Sequence, residues 1–421
     1  MDEELEATNN KKSEYFIGNE KKRRSITILF KYGDINMNKS KQQAENLYKI
    51  FKEHYQEAIR DPQTMIMQKA NGTILKSPLF ISWEITSNCN LSCIHCRAAY
   101  NNSRYAQTDR KMDEYLSLLK KFSDNEVFTV GITGGEPFLH PFFWNIIEES
   151  RKYNYNIIIY SNGTLIGEKE AMRLSKLLNP DDIIHISLDG GNKNANDKQR
   201  GTGCFEKTVN ALKILQSYSI PVRLNIVPTI FNIGSIPELC ELAIDLGVKE
   251  FGASPLMIAG RAIDRNLIPD PQELFTIEER VVKRLEGTRT KYIGGIGGAV
   301  QNYVKMQEWF EYDIYDINRG KQWKKICDAG NRKLFIDAKG DAYPCSLFAE
   351  HKEFVLGNVY EDTLNNIWNN SKLEIFRKGV DIRSKKCGSC KLLSLCGGGC
   401  MAMSYNVYGN LEAIDPRCAC Q

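Results

Sequence analysis

The stretch LFISWEITSNCNLSCIHCRA (79–98) decides how the rest of the chain is interpreted. It starts with apolar and β-branched residues typical of a strand, and it ends in a polar loop with three cysteines. These are Cys89, Cys93 and Cys96, in the spacing C-x3-C-x2-C. Three thiolates are one fewer than the four ligands that close a structural zinc or iron–sulfur site. The loop therefore predicts a metal centre with one position open to a small molecule.

A zinc site formed by the same cysteines with His95 is the alternative. His95 lies between Cys93 and Cys96, so it would be strained to complete the same tetrahedron. The start of the chain, MDEELEATNNKKSEYF (1–16), lacks the apolar run of a secretory signal, which predicts a cytoplasmic protein. Thirteen cysteines in a reducing compartment favour metal binding or catalysis over a disulfide framework.

Strand-like runs alternate with helical periodicity from residue 79 onward. Six runs read as strands: 79–85, 127–133, 155–161, 182–188, 222–228 and 248–254. Repeated strand-then-helix units predict parallel strands with helical crossovers, arranged as a barrel or a doubly wound sheet. In both architectures the loops after the strands hold the active site. After about residue 260 the regular alternation fades, and after 327 the chain becomes rich in cysteine and glycine.

The bulk composition argues against a membrane protein and against a nucleic-acid-binding protein. Hydrophobic residues make up 42% of the chain and charged residues 26%, and no apolar run approaches the length of a membrane span. The net charge of +4 is small, and the basic cluster KKRR (21–24) has no aromatic residues interleaved with it. A length of 421 residues suits one large domain and one or two small ones. We expect residues 1–24 to be a disordered tail and residues 25–78 to form a small α+β module.

A second group of cysteines lies near the C-terminus. Two short strands joined by a glycine turn are predicted for FIDAKGDAYPCSLF (335–348), and flexible backbone followed by a helix for CGGGCMAMSYNVYG (396–409). The spacing C-x2-C alone is typical of zinc, but the full set of intervals favours iron–sulfur clusters. The group comprises Cys327, Cys345, Cys387, Cys390, Cys396, Cys400 and Cys418. Two other cysteines, Cys204 and Cys240, lie in helical stretches and are predicted to be buried core residues.

The first cysteine motif, followed after the second strand by Gly134-Gly135-Glu136-Pro137, resembles the radical S-adenosylmethionine (SAM) superfamily. The resemblance implies a partial (β/α)6 barrel, in agreement with the six predicted strands. It implies that Cys89, Cys93 and Cys96 bind a catalytic 4Fe-4S cluster whose open iron is chelated by SAM. It also implies reductive cleavage of SAM to a 5′-deoxyadenosyl radical that takes a hydrogen atom from the substrate.

The same resemblance implies further contacts to SAM. Gly134 and Gly135 allow close approach of the backbone, and Glu136 stands where an acceptor for the methionine ammonium group is expected. His95 occupies the aromatic position that borders the adenine. The remaining polar contacts to SAM are assigned to Ser187, Asp189 and Arg200.

Three residues near this predicted site have a second interpretation. Asp189 could form a turn before Gly190, and Arg200 could belong to a surface loop. Asn162 precedes Gly163 and is expected mainly to form an Asn-Gly turn.

The seven C-terminal cysteines resemble the complete SPASM pattern, which implies two auxiliary 4Fe-4S clusters and three clusters in all. The family's ligation scheme assigns Cys327, Cys345 and Cys400 to the first auxiliary cluster and the other four to the second. The first then lacks a fourth thiolate. An exchangeable site for a substrate thiolate, a further ligand such as Cys420, or a non-cysteine ligand would each complete it, and Cys420 could instead replace Cys418.

The leading hypothesis is a maturase that oxidatively modifies a ribosomally synthesised peptide or protein, for example by a thioether crosslink. An enzyme of haem or haem d1 synthesis that acts on a tetrapyrrole side chain is the alternative, and a non-catalytic iron–sulfur electron carrier is a third. The resemblance implies an external electron donor such as flavodoxin or ferredoxin, and the composition predicts neither nucleic acid nor membrane as a partner. Residues 79–300 are predicted to form the barrel, and 301–421 a bridging region and the SPASM domain. Residues 25–78 match a leader-peptide-binding domain poorly.

Overall fold

The computed structural model describes residues 75–99, 110–263, 266–293, 296, 324–325, 327, 329–382, 385–390 and 398–418. All of them belong to the same structural unit. The prediction for residues 1–24 and all but the last four residues of that for 25–78 lie outside the described residues, as do Cys396 and Cys420.

Seven parallel strands, each beside the next one in the chain, make up most of a ten-stranded sheet. Right-handed crossovers in this sequential order put the helices on one side of the sheet, as in an open barrel and unlike a doubly wound sheet. The six predicted strands agree with the structure to within two residues at each end. The seven are β1 Phe80–Thr86, β2 Thr129–Gly134, β3 Asn156–Ser161, β4 Ile183–Ser187, β5 Val222–Ile226, β6 Glu250–Ala253 and β7 Lys291–Tyr292.

Amphipathic helices cover the sheet because their apolar residues recur at helical spacing. The first of them buries Tyr115, Leu118, Leu119 and Phe122. Trp83 of β1 packs against two of these rings, with centroid distances of 6.0 Å to Tyr115 and 5.7 Å to Phe122. The helices are α1 Met112–Asp124, α2 Phe143–Ser150, α3 Glu168–Leu177, α4 Lys193–Arg200, α5 Cys204–Ser217, α6 Ile236–Asp245 and α7 Pro271–Leu285. With β7, α7 extends the alternation beyond residue 260, where the sequence pattern fades.

Helix α4 is not apparent from the apolar pattern. Its sequence, KNANDKQR, has almost no apolar residues and hence no hydrophobic periodicity. Polar contacts hold it instead. Asn192 caps its start by accepting a hydrogen bond from the Ala195 amide at 3.1 Å, and the side chain of Asn196 accepts one from the Asp189 amide at 2.9 Å. The helix therefore depends on the loop after β4, against which it lies.

The C-terminal region continues the sheet of the barrel. Strand β9, Lys333–Ile336, runs parallel to β1, in register from Phe80 opposite Lys333 to Trp83 opposite Ile336. Strands β10, Asp341–Tyr343, and β11, Gly357–Asn358, extend this edge in antiparallel pairing. The predicted glycine turn is present, with Gly340 at φ +92°. The barrel and the cysteine-rich region thus share one sheet.

The other strands and α-helices of the described residues are short. They are β8 Lys324–Lys325 and β12 Val380–Asp381, which pair with each other, and the helices α8 Leu364–Trp368, α9 Glu374–Lys378 and α10 Met401–Tyr408. Helix α10 confirms the helix predicted after Cys400. Cys204 and Cys240 are buried, as predicted. In the part of the chain that the structure describes, no helix has the length and apolar character needed to cross a membrane.

Candidate active site at the carboxyl ends of the strands

The three cysteines of the first motif lie in the loop after β1, and each is partly exposed as a free thiol. Burial raises the pKa of Cys93 to about 12, opposed by Arg200 and reinforced by Cys96 and Cys89. Burial also raises the pKa of Cys89 to about 11, with a further contribution from Cys96. Because Cys96 contributes to the raised pKa of both Cys89 and Cys93, the three thiols lie near one another, and a bound metal centre would stabilise them as thiolates. The donor set therefore fits an iron–sulfur cluster.

Two glycines bring the loop after β2 against this cysteine loop. The Gly135 amide donates a hydrogen bond to the Thr86 carbonyl oxygen at 2.8 Å. A Cβ atom on Gly135 would lie 2.1 Å from the carbonyl oxygen of Asn88 and 2.9 Å from Cβ of Cys89. On Gly134, whose φ is +154°, it would lie 2.3 Å from the Thr86 carbonyl oxygen. The glycines are thus required for packing on the cysteine loop, in addition to the predicted approach to SAM.

Glu136 is fully buried at the centre of these loops. Its carboxylate accepts hydrogen bonds from the Ser161 hydroxyl and the Asn162 amide, both at 2.8 Å. Burial raises its pKa to about 7, and these hydrogen bonds oppose the rise. A cation placed beside this carboxylate would favour its charged form. Glu136 can therefore act as an acceptor for an ammonium group, the role that the family resemblance implies for it.

Asp189, Arg200 and His95 come together although they lie in three different segments. The Asp189 carboxylate lies 2.6 Å from Nε of Arg200 and 3.3 Å from Nε2 of His95, and all three side chains are buried. It also accepts a hydrogen bond from the Val227 amide at 2.8 Å. Burial lowers the pKa of His95 to about 4, so the ring is neutral despite the neighbouring Asp189. Asp189 is therefore not a surface turn residue, and Arg200 is not a surface arginine.

Ser187 and Asn162 complete the placement of the predicted residues. Ser187 ends β4 and is partly exposed. Asn162 forms the expected turn, accepting a hydrogen bond from the Thr164 amide at 2.9 Å, with Gly163 at φ +76°. Its side chain also donates to Oδ1 of Asn90, between two of the cysteines, at 2.9 Å. The turn after β3 therefore supports the cysteine loop.

Sequence reasoning missed a third support, which follows β6. Arg261 donates from Nε to the Cys93 carbonyl oxygen at 2.8 Å and from its amide to the Cys96 carbonyl oxygen at 3.0 Å. A Cβ atom on Gly260 would lie 2.3 Å from the carbonyl oxygen of Arg97. The sequence feature that could have indicated this support is Gly260, which lies in the loop after the sixth strand as Gly134 and Gly135 lie after the second.

The C-terminal cysteines lie in two places. Burial raises the pKa of Cys327 to about 12, with further contributions from Cys345 and Cys400, so these three are neighbours. In a short segment, Cys390 donates its amide to the Cys387 carbonyl oxygen at 3.0 Å. At neither cysteine motif are the thiols gathered to ligand distance: in the described ranges, no three cysteine, histidine or carboxylate side chains are spaced as around a metal ion.

Asp415 links Cys400 to Cys418. Its carboxylate accepts a hydrogen bond from the Cys400 amide at 2.7 Å, and its carbonyl oxygen accepts one from the Cys418 amide at 2.9 Å. The side chain is buried and forms an ion pair with Arg417 at 2.9 Å. A Cβ atom on Gly399 would lie 2.5 Å from Cβ of Asp415, so the backbone passes directly over it. This residue was not identified from the sequence, in which it lies three positions before the last motif cysteine.

A cleft lies between the first cysteine loop and the cysteine-rich region. It is small and partly open to solvent. Its polar lining comes from both sides: Glu84, Arg97, Asp337, Ser346, Glu350, His351 and Asn406. A substrate group placed there would contact both regions that carry cysteine motifs.

Comparisons with known proteins agree with this site. The model of the radical SAM superfamily matches residues 83–243, and that of SPASM, an iron–sulfur cluster-binding domain, matches residues 327–391. Mycofactocin maturase of Mycobacterium tuberculosis is 30% identical over 350 residues, which cover 82% of this chain and 83% of that protein. AdoMet-dependent heme synthase of Methanosarcina barkeri is 27% identical, over 81% of this chain and 96% of that protein.

Solved structures show the same fold. SuiB of Streptococcus suis, solved with S-adenosylmethionine and with the precursor peptide SuiA, has a TM-score of 0.68 in both structures. Its sequence identity is 20%, over 85% of this chain and 81% or 80% of the respective SuiB chains.

The fold and the site define an enzyme that uses S-adenosylmethionine and iron–sulfur clusters. The chain belongs to the radical SAM superfamily, among the members with a C-terminal SPASM domain. The family, fold class and enzymatic nature predicted from the sequence are confirmed, and the hypothesis of a non-catalytic electron carrier is set aside.

Proposed function

We propose that this enzyme is a maturase that oxidatively modifies a ribosomally synthesised peptide or protein, for example by forming a thioether crosslink. The observation that carries the proposal is the cleft between the catalytic cysteine loop and the cysteine-rich region, which is lined from both sides. Support comes from mycofactocin maturase as a relative and from SuiB, a protein of the same fold that has been solved with a precursor peptide.

The catalytic half of the proposal uses the first cysteine loop. Cys89, Cys93 and Cys96 would hold the catalytic cluster, and Glu136 would accept the ammonium group of SAM. The remaining contacts to SAM are assigned to His95, Gly134, Gly135, Ser187, Asp189 and Arg200. When bound, these cofactors supply a 5′-deoxyadenosyl radical, using one electron from an external donor such as flavodoxin or ferredoxin.

An oxidative crosslink removes a pair of hydrogens from the substrate. One leaves as a hydrogen atom to the radical, and the other leaves as a proton and an electron when the new bond forms. The reaction therefore needs an electron acceptor beside the substrate, which gives the C-terminal cysteines a role. We assign Cys327, Cys345 and Cys400 to one auxiliary 4Fe-4S cluster and do not assign its fourth ligand. The second cluster is assigned to Cys387, Cys390, Cys396 and Cys418.

The proposal is tested by co-expression with each short open reading frame beside the gene, followed by mass spectrometry of the peptide. Loss of a pair of hydrogens per modified site is expected. The Cys89→Ala variant removes one catalytic ligand and should abolish the modification while the iron of the auxiliary clusters is retained. Modification that persists in this variant would show that the catalytic assignment is wrong.

An enzyme of haem or haem d1 synthesis remains the second candidate. It is favoured by the similarity to AdoMet-dependent heme synthase, because this chain spans almost the whole length of that protein. The two candidates differ in substrate size and in product. An unmodified peptide, together with decarboxylation of a supplied porphyrin by the same anaerobic preparation, would establish the tetrapyrrole alternative.

A further inference from the structure

One arginine connects the two regions that carry cysteine motifs. Arg97 follows Cys96 immediately in the catalytic loop. Its Nη1 donates a hydrogen bond to the carbonyl oxygen of Ser346 at 3.1 Å, and Ser346 follows Cys345. A single side chain therefore links the neighbour of a proposed catalytic-cluster ligand to the neighbour of a proposed auxiliary-cluster ligand.

The guanidinium of Arg97 is held from two other directions. Its Nη2 donates to Oε1 of Glu84 at 2.5 Å, and the Glu84 side chain is 4% exposed. The guanidinium carbon lies 5.1 Å from the ring centroid of Phe335. Glu84 belongs to β1 and Phe335 to β9, so both anchors lie on the paired strands that join the two regions. A planar group with two directed hydrogen bonds and a ring beside it has one orientation.

We propose that Arg97 is a positioning residue that holds the Cys345–Ser346 segment in place relative to the catalytic cysteine loop, across the cleft. The inference rests on the proposed function, in which Cys96 and Cys345 ligate different clusters. Lysine cannot replace Arg97. Its ammonium group lacks the planar fork of donors with which the guanidinium binds Glu84 and Ser346 at once while lying beside the Phe335 ring.

A shift of this segment has a specific consequence. The residues assigned to SAM cleavage all lie in the barrel and none in the cysteine-rich region, whereas an oxidative modification also requires an acceptor correctly placed beside the substrate. Misplacement by about 1 Å can lower the rate of a step on the order of a hundredfold. We therefore expect Arg97 variants to cleave SAM without modifying the substrate, a loss of coupling.

The test compares Arg97→Lys with a matched control, Arg110→Lys. Arg110 also connects the barrel to the cysteine-rich region, donating to the Lys339 carbonyl oxygen at 2.8 Å, with its guanidinium 3.6 Å from the Tyr360 ring centroid. It does not adjoin a motif cysteine. Each substitution is made alone and in the Cys89→Ala background, in which the spectrum of the reduced protein reports the auxiliary clusters only.

Two readouts are recorded on anaerobically reconstituted protein. The first is the electron paramagnetic resonance spectrum and midpoint potential of the auxiliary clusters, which does not depend on turnover. The second is the ratio of 5′-deoxyadenosine formed to peptide modified, which we expect to rise on the order of tenfold or more in Arg97→Lys. Arg110→Lys should leave both unchanged.

The outcomes separate this inference from the proposed function. If Arg97→Lys and Arg110→Lys have the same auxiliary-cluster spectrum, the same midpoint potential and the same ratio of 5′-deoxyadenosine to modified peptide, the proposed role of Arg97 is overturned. A wild-type enzyme that modifies no peptide overturns the proposed substrate, but the spectra still decide the role of Arg97. If Arg97→Lys does not load its clusters, Glu84→Ala decides: it removes the acceptor that orients Arg97, and a spectrum identical to that of the parent overturns the inference.

Discussion

Gly135 shows how one residue determines the geometry of the catalytic loop. Its backbone is not in the left-handed region, so the requirement for glycine is purely steric. The loop after β2 approaches the cysteine loop so closely that no side chain fits between them. A residue with any Cβ atom must displace the backbone beside Cys89.

We expect Gly135→Ala to lose SAM cleavage. The added methyl group would meet the carbonyl oxygen of Asn88 at 2.1 Å, and relief requires movement of the loop that carries Cys89. Overpacking of this kind costs about 1–3 kcal/mol of stability. Gly234→Ala is the control, because a Cβ atom there has open space. Equal SAM cleavage and equal melting temperature for the two variants would contradict the prediction.

We expect Asp415→Asn to lose auxiliary iron. Asparagine has one acceptor oxygen instead of two, so it cannot accept from both the Cys400 amide and Arg417, and the ion pair with Arg417 is lost. Hydrogen bonds to a charged acceptor contribute roughly 1.5–3 kcal/mol each. Iron content per chain, measured in the Cys89→Ala background, should fall, whereas Glu412→Gln, an exposed carboxylate of the same segment, should keep it. Full iron content in Asp415→Asn would be inconsistent with this role.

The hairpin of β9 and β10 carries a second carboxylate that the sequence did not single out. Oδ1 of Asp337 accepts hydrogen bonds from the amides of Lys339 and Asp341, both at 2.9 Å, which defines the turn. Burial raises its pKa to about 7, and the nearby carboxylates of Asp341 and Glu84 contribute. The hairpin therefore holds a proton near neutral pH that the unfolded chain does not.

This proton makes the stability of the protein depend on pH. The folded pKa of Asp337 is about 7 and its ordinary value is 3.8, so the folded protein binds the extra proton between these pH values. Stability therefore falls as the pH rises through this window. Asp337→Asn should flatten the dependence of the melting temperature between about pH 5.5 and 7.5. A slope equal to that of the wild type would exclude Asp337 as its source.

At the scale of elements, the strands were predictable and one helix was not. The apolar runs of β1 to β6 are local signals, and the structure reproduces them. Helix α4 lacks such a signal because it is held by Asn192 and by contacts of Asn196 to the loop after β4. Its last residue is Arg200, so the same helix delivers a buried arginine to Asp189.

At the scale of the whole molecule, one sheet carries both regions with cysteine motifs. Strand β9 pairs with β1, and β10, which Cys345 follows closely, pairs with β9, so two strand pairings connect the catalytic loop after β1 to the segment around Cys345. The cleft and the Arg97 contact to Ser346 follow from this pairing. If the cysteine-rich region were instead a separate domain joined to the barrel by a linker, the fold would not determine the distance between the two cysteine motifs.

The sequence by itself determined the family, the strands and the cysteine motifs, because each depends on residues close together in the chain. The tertiary structure alone decided which loops support the cysteines and how the two regions meet. Arg261 contacts Cys93, Asp189 contacts His95 and Arg97 contacts Ser346 across long separations in the chain. The first two contacts form only when the parallel strands pair and bring their carboxyl ends to one edge, and the third forms only when β9 and β10 extend the sheet beside β1. No local pattern specifies them.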